Sequence, residues 1–134
     1  MLFTLDDAQL ADTFSYPPEF LRVVGLGLVN LEPWSLLGGT CLVDRSNGLK
    51  ERYPDRKLVP FARRQDNDDV ACWDLAKGGG TVTIIHDYAS PGWEQRDEFS
   101  GFNDWLRRAI EDLIAFEGHT LSNSLHQLGW KSLA

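Results

Sequence analysis

KLVPFARRQDNDDVACWDLAKGGGTVTIIHD, residues 57–87, holds three apolar runs of strand length separated by turn chemistry. Lys57–Ala62 and Val70–Leu75 flank the polar loop Arg63–Asp68. Ala76–Gly80, with three consecutive glycines, joins the second run to Thr81–Asp87 as a hairpin loop. That last run alternates, with Val82, Ile84 and His86 on one face and Thr83, Ile85 and Asp87 on the other. Sequential strands joined this tightly imply an antiparallel meander.

Helical patterns lie on both sides of the meander. Downstream, Tyr88–Phe99 reads as a long loop, and Ser100 caps the strongest helix of the chain. There Phe102, Trp105, Leu106, Ala109, Ile110, Leu113 and Ile114 recur at three- and four-residue steps, with Asp112 among the residues assigned to the polar face, and Gly118 ends the helix. Upstream, Thr4 with Asp7 signals a helix over Leu5–Phe14. Tyr16-Pro17-Pro18 breaks it and opens another with the apolar stripe Phe20, Leu21, Val23 and Val24, stopped by Gly25 and Gly27. Leu28–Leu31 reads as a short strand. Thr40 opens a further helix over Cys41–Tyr53, with Asn47-Gly48 as its weak point. The tail 118–134 carries Leu121, Leu125 and Leu128 at helical spacing. The sum is one α+β domain over residues 1–134, an antiparallel meander with helices packed on one face.

Composition narrows the function. The chain has 134 residues, 43% hydrophobic and 25% charged, which suits a single globular domain. Thirteen basic against twenty acidic residues give a net charge of −7. That balance argues against a nucleic-acid binder and against docking on anionic lipid. No apolar run reaches the ~20 residues of a membrane span. Met1–Asp12 has three aspartates and no basic residue, so we expect no leader and a cytoplasmic protein. Cys41 and Cys72 sit singly in apolar contexts and read as buried thiols.

Catalytic and cofactor motifs are sparse. Gly25-Leu26-Gly27 lacks the strand–turn–helix setting of a dinucleotide fingerprint. Asp66-Asn67-Asp68-Asp69 is the best metal candidate, yet Val70 and Ala71 break the ligand spacing of a calcium loop, and a solvated turn fits better. His86-Asp87 places a base beside a carboxylate, but adjacent strand residues point to opposite faces. His119 and His126 carry no spacing argument. We therefore expect no metal, no cofactor and no catalytic residue. A hydrolase using Asp66–Asp69 and His86 with a divalent cation stands as a minor reading.

Charge placement says more. Residues 45–64 hold seven basic and two acidic side chains, whereas 66–134 hold twelve acidic and five basic. Such polarity either steers a charged partner or reflects scattered solvated faces. Of five tryptophans, Trp73 and Trp105 fit the core. Trp34 and Trp93 follow Pro33 and Pro91-Gly92 at loop edges, where binding anchor and core cap are equal readings.

Several short motifs, taken in order, resemble the SUKH superfamily, named for its fungal cell-wall-synthesis regulators. Tyr16-Pro17-Pro18-Glu19-Phe20-Leu21 resembles its Leu-Pro-x-x-aromatic helix opening, and Leu58-Val59-Pro60-Phe61-Ala62 resembles its Ile-Pro-Phe-Ala strand. An acidic turn, Cys72-Trp73-Asp74, a hairpin to His86-Asp87 and the helix from Phe102 follow in the same order, so the likeness spans residues 16–117. Gln65-Asp66-Asn67-Asp68 replaces the family's usual glycines. The resemblance implies a non-enzymatic immunity protein that binds and neutralises a cognate toxin, often a nuclease, or alternatively an intracellular scaffold or regulator binding a client protein. On either reading the expected contacts are Asp66, Asp68, Asp69, Trp93, Glu94, Asp97 and Glu98, with Trp34 as a pocket residue.

Overall fold

Val70, Ala71, Cys72 and Trp73 are all fully buried, so their strand is covered on both faces. The computed structural model describes residues 2–11 and 13–116 and puts that strand inside a six-stranded antiparallel sheet. The strands lie side by side in chain order: β1 (Asn30–Leu31), β2 (Trp34–Leu36), β3 (Leu58–Arg64), β4 (Asp69–Asp74), β5 (Val82–His86) and β6 (Gln95–Phe99). Three helices accompany them, α1 (Pro18–Gly25), α2 (Gly39–Arg52) and α3 (Phe102–Ala115). The α+β class and the meander stand.

Register assigns the faces. Val59, Trp73 and Val82 align in one cross-strand row, and Cys72 with Thr83 in the next. Trp73 faces α1 and α3, with ring centroids 5.0 Å from Phe20 and 6.2 Å from Phe102. Phe61, two residues after Val59, lies on the same face, 4.3 Å from Trp73, and a bulge between Pro60 and Ala62 pairs Ala62 with Ala71 so that it turns to that face as well. Cys72, Asp74 and the residue after β5, Asp87, lie on the opposite side, where Arg45 and Arg52 of α2 meet Asp87. Thus α1 and α3 share one face while α2 covers the other, so the helices do not all pack on one face as the sequence suggests: the Asp87 carboxylate draws α2 to the far side.

Several local expectations change. Among the described residues of Leu5–Phe14 the helical content is one 3₁₀ turn, Asp7–Gln9, in which Asp6 and Gln9 cap one another. The Leu5 N–H is instead committed to the Tyr16 hydroxyl at 2.8 Å. α1 ends in a Schellman arrangement, Leu28 N–H to Val23 O and Gly27 N–H to Val24 O, which needs the positive φ of Gly27. Leu21 of the expected α1 stripe is exposed, and so are Ile110 and Ile114 of the expected α3 stripe. α2 starts at Gly39 rather than at a Thr40 cap and runs unbroken through Asn47-Gly48. Cys41 is exposed, and only Cys72 is a buried thiol. The segments around Trp34 and residues 95–99 are strands, not loops. Gly101 occupies the cap position of α3, with the Ser100 hydroxyl bonded to Asp104. Gly118, His119, His126 and the leucines of the tail lie outside the described residues.

α2 is held down by charge. Asp87 is fully buried and accepts Arg52 Nε and Nη2 at 2.6 and 2.7 Å, Arg45 Nη1 at 2.8 Å and its neighbour's Tyr88 N–H at 2.8 Å. Gly48 makes the geometry possible: a Cβ there would come within 2.5 Å of Arg52 Nη2. Ordinarily, replacing a mid-helix glycine by alanine gains about 1 kcal/mol. Here Gly48→Ala must push Arg52 off a buried carboxylate, so urea unfolding should show a loss of about 1–3 kcal/mol. In an Asp87→Asn background, with Arg52 released, the same substitution should stabilise instead. A stabilising Gly48→Ala in the wild type would refute the coupling.

Candidate functional site

The acidic turn between β3 and β4 is tied internally. Arg64 grips Asp66 with two parallel bonds, Nε to Oδ1 at 2.8 Å and Nη2 to Oδ2 at 2.9 Å. Asn67 Oδ1 accepts the Asp69 N–H at 2.8 Å, and the Asp68 carbonyl accepts the Asp87 N–H at 2.9 Å. Asp69 stands opposite His86 in the ladder and meets its Nδ1 at 3.0 Å, with Arg96 Nε 3.5 Å away. Asp68 keeps its carboxylate exposed. Among the described residues no group of three His, Cys, Asp or Glu side chains is placed to hold a metal.

The β5–β6 connection is also fixed from within. Glu94 is only 7% exposed. It accepts Arg56 Nη1 at 2.9 Å and the Gly92 N–H at 2.6 Å, while Arg56 Nη2 also reaches Asp74 and Gln95. Glu94 is therefore the brace of the turn rather than an outward contact. Gly92 takes φ +97°, and the Trp93 N–H bonds to Ser90 O at 2.9 Å. The Trp93 side chain ends up 82% exposed. Glu98 pairs with Lys77 on the outer strand, and the Asp97 carboxylate accepts the Glu98 N–H.

Trp34 is no loop anchor. Only 4% exposed, it lies edge-on to Trp105 at 5.5 Å, and its indole N–H donates to Asp112 Oδ2 at 3.0 Å. It does line a pocket, a cleft of about 230 Å³ between the sheet and α3 that also contains Asp69, Asp97, Arg64, Arg96 and Asp112. The expected contacts thus form separate groups. Trp34, Asp69 and Asp97 share the cleft, Trp93 and Glu94 build the turn, and Asp66, Asp68 and Glu98 sit at the margins.

Sequence reasoning missed Arg56, Arg64 and Asp112. Asp112 was legible, since it lies seven residues after Trp105 and so shares its helix face. Arg56 and Arg64 gave no local signal, because their partners are distant in sequence. No family model matches the chain, and no match was found among curated proteins or solved structures. No helix among the described residues is long and apolar enough to cross a membrane.

Three of these carboxylates titrate low. Burial opposes ionisation of Asp87 and Glu94, but the bonds from Arg52 and Arg45, and from Arg56, outweigh it. The Arg64 bonds lower Asp66 directly. Ordinary values are 4.5 for Glu94 and 3.8 for the two aspartates. Groups depressed in the folded state stabilise it above their unfolded values and lose that contribution as pH falls through the folded ones. Resistance to urea should accordingly stay level from neutrality to about pH 5 and decline below it. Glu94→Gln should lower the neutral plateau and flatten the start of that decline, whereas identical pH profiles would mean that the Arg56–Glu94 pair adds nothing.

Proposed function

We propose that this chain is a protein-interaction module of the SUKH type, acting as an immunity protein that binds and neutralises a toxin domain. The carrying observation is Trp93, 82% exposed on a turn whose base is braced by Glu94 and Arg56. Tryptophan buries a large area at small entropic cost, and a pre-ordered turn lowers the cost of docking further. Asp97 on the adjoining outer strand, beside the Lys77-paired Glu98, adds negative charge for a basic partner, such as a nuclease surface built for phosphate. The order of family-like motifs, from Tyr16-Pro17-Pro18 to Phe102, supports the same assignment.

Co-purification with the toxin encoded beside the gene, and protection of cells expressing that toxin, test the proposal directly. Failure of both would overturn it. Kinetics give a sharper test. Association with the toxin should slow as salt rises, because exposed charges are screened over ~8 Å at physiological ionic strength. Neutralising Asp97 and Glu98 together should mimic that slowing. Trp93→Ala should instead speed dissociation, weakening binding by about 2 kcal/mol, with the unfolding midpoint unchanged. If Trp93→Ala lowers stability and spares affinity, the turn belongs to the core and binding lies elsewhere.

A further inference from the structure

The face covered by α2 carries a feature unrelated to the Trp93 turn. Arg45 and Arg52 of α2 and Arg63 of β3 line one cleft of about 260 Å³, with Tyr88 at its rim. The three arginines share the cleft with the exposed Asp44, and two of them, Arg45 and Arg52, hold the buried Asp87 carboxylate. The cleft thus has an excess of positive charge in a chain of net −7. Arg45 commits one nitrogen to Asp87 and Arg52 two, which leaves much of their five-donor forks unused. Among the described residues Arg63 pairs with no carboxylate. Its partner across the ladder is Ser35.

A second cleft of about 390 Å³ adjoins the first, sharing Leu37, Cys41 and Arg63, and adds Leu36 to the apolar lining. Headgroup chemistry and an apolar wall therefore stand side by side. Convergent arginines favour a tetrahedral dianion, whose oxygens accept paired N–H donors, over a singly charged carboxylate. Aliphatic leucines and the Tyr88 ring suit an apolar body attached to it. We propose that this paired cleft binds a small phosphate monoester bearing an apolar or aromatic group. Arg63 is the deciding contact, because Arg45 and Arg52 are already anchored by Asp87.

Cys41 provides the readout. It lines both clefts and is exposed, whereas Cys72 is fully buried, so a neutral alkylating reagent reports on Cys41 in the folded protein. Phenyl phosphate should slow alkylation of Cys41 about threefold at roughly twice its Kd, as mass action requires. Sodium chloride at matched ionic strength should not, and benzoate should protect more weakly. Arg63→Gln should keep the unfolding midpoint and lose the protection, and Arg63→Lys should retain part of it. If Arg63→Gln does not fold, the lysine variant alone decides. Undiminished protection in the folded variants, no protection by phenyl phosphate up to ~20 mM, or equal protection by benzoate would overturn the proposal.

Discussion

A fully buried carboxylate, Asp87, organises one half of the molecule. Isolating such a charge from solvent costs several kcal/mol unless donors replace the lost hydration. Arg45, Arg52 and the Tyr88 N–H supply four hydrogen bonds, and these fix how α2 lies on the sheet. The consequences reach back into the sequence. Gly48 stays bare so that Arg52 can fold across it, despite the cost of glycine in a helix. α2 needs only a narrow buried stripe, Leu42 and Leu49 with Ser46 between them, because charge does part of the docking. The opposite face uses other physics, with Trp73 surrounded by Phe14, Tyr16, Phe20, Phe61 and Phe102 in edge and tilted contacts.

Charge segregation along the chain is largely answered by the fold itself. Arg45, Arg52, Arg56 and Arg64 come from the basic segment, and each pairs with a carboxylate from the acidic one. A separation that looks like a steering field in one dimension becomes a set of cross-links in three. Among the described residues, what remains unpaired of the two segments is smaller and more local, and includes Asp68 at the acidic turn, Asp97 on the outer strand and Arg63 on the α2 face.

The parts legible in the sequence were those with short-range signals. β3, β4 and β5 showed apolar runs bounded by turn residues, α1 had proline at its start, and α3 had an apolar stripe. β6 was invisible because an edge strand exposed at four consecutive residues and with few apolar ones, Gln-Arg-Asp-Glu-Phe, carries no alternation. β2 is too short to show a period. The face chosen by α2 was hidden for another reason. Its stripe is weak, and the decisive contacts to Asp87 span 35 and 42 residues. Glu94 was misplaced by the same non-local effect, which also decided between the two readings left open for Trp34. Proximity to a proline or a turn suggested exposure, whereas Arg56 and Asp112, remote in sequence, draw both inward.

Glu94 also explains why Trp93 points outward. A large indole in a slack loop would fold back onto the nearest apolar surface, since burial of such an area is worth several kcal/mol. Here the Gly92 N–H is bound to Glu94, the Trp93 N–H to Ser90, and the Tyr53 hydroxyl to Ala89 at 2.7 Å. The turn is anchored on both sides of the indole, and Gly92 supplies the left-handed residue that aims it. Adjacent residues thus divide the work: the buried acid sets the direction, and the exposed aromatic presents the area. Exposure maintained by a hydrogen-bonded turn is a built feature of the fold, and it distinguishes Trp93 from the exposed leucines Leu21, Leu26 and Leu28 around the end of α1.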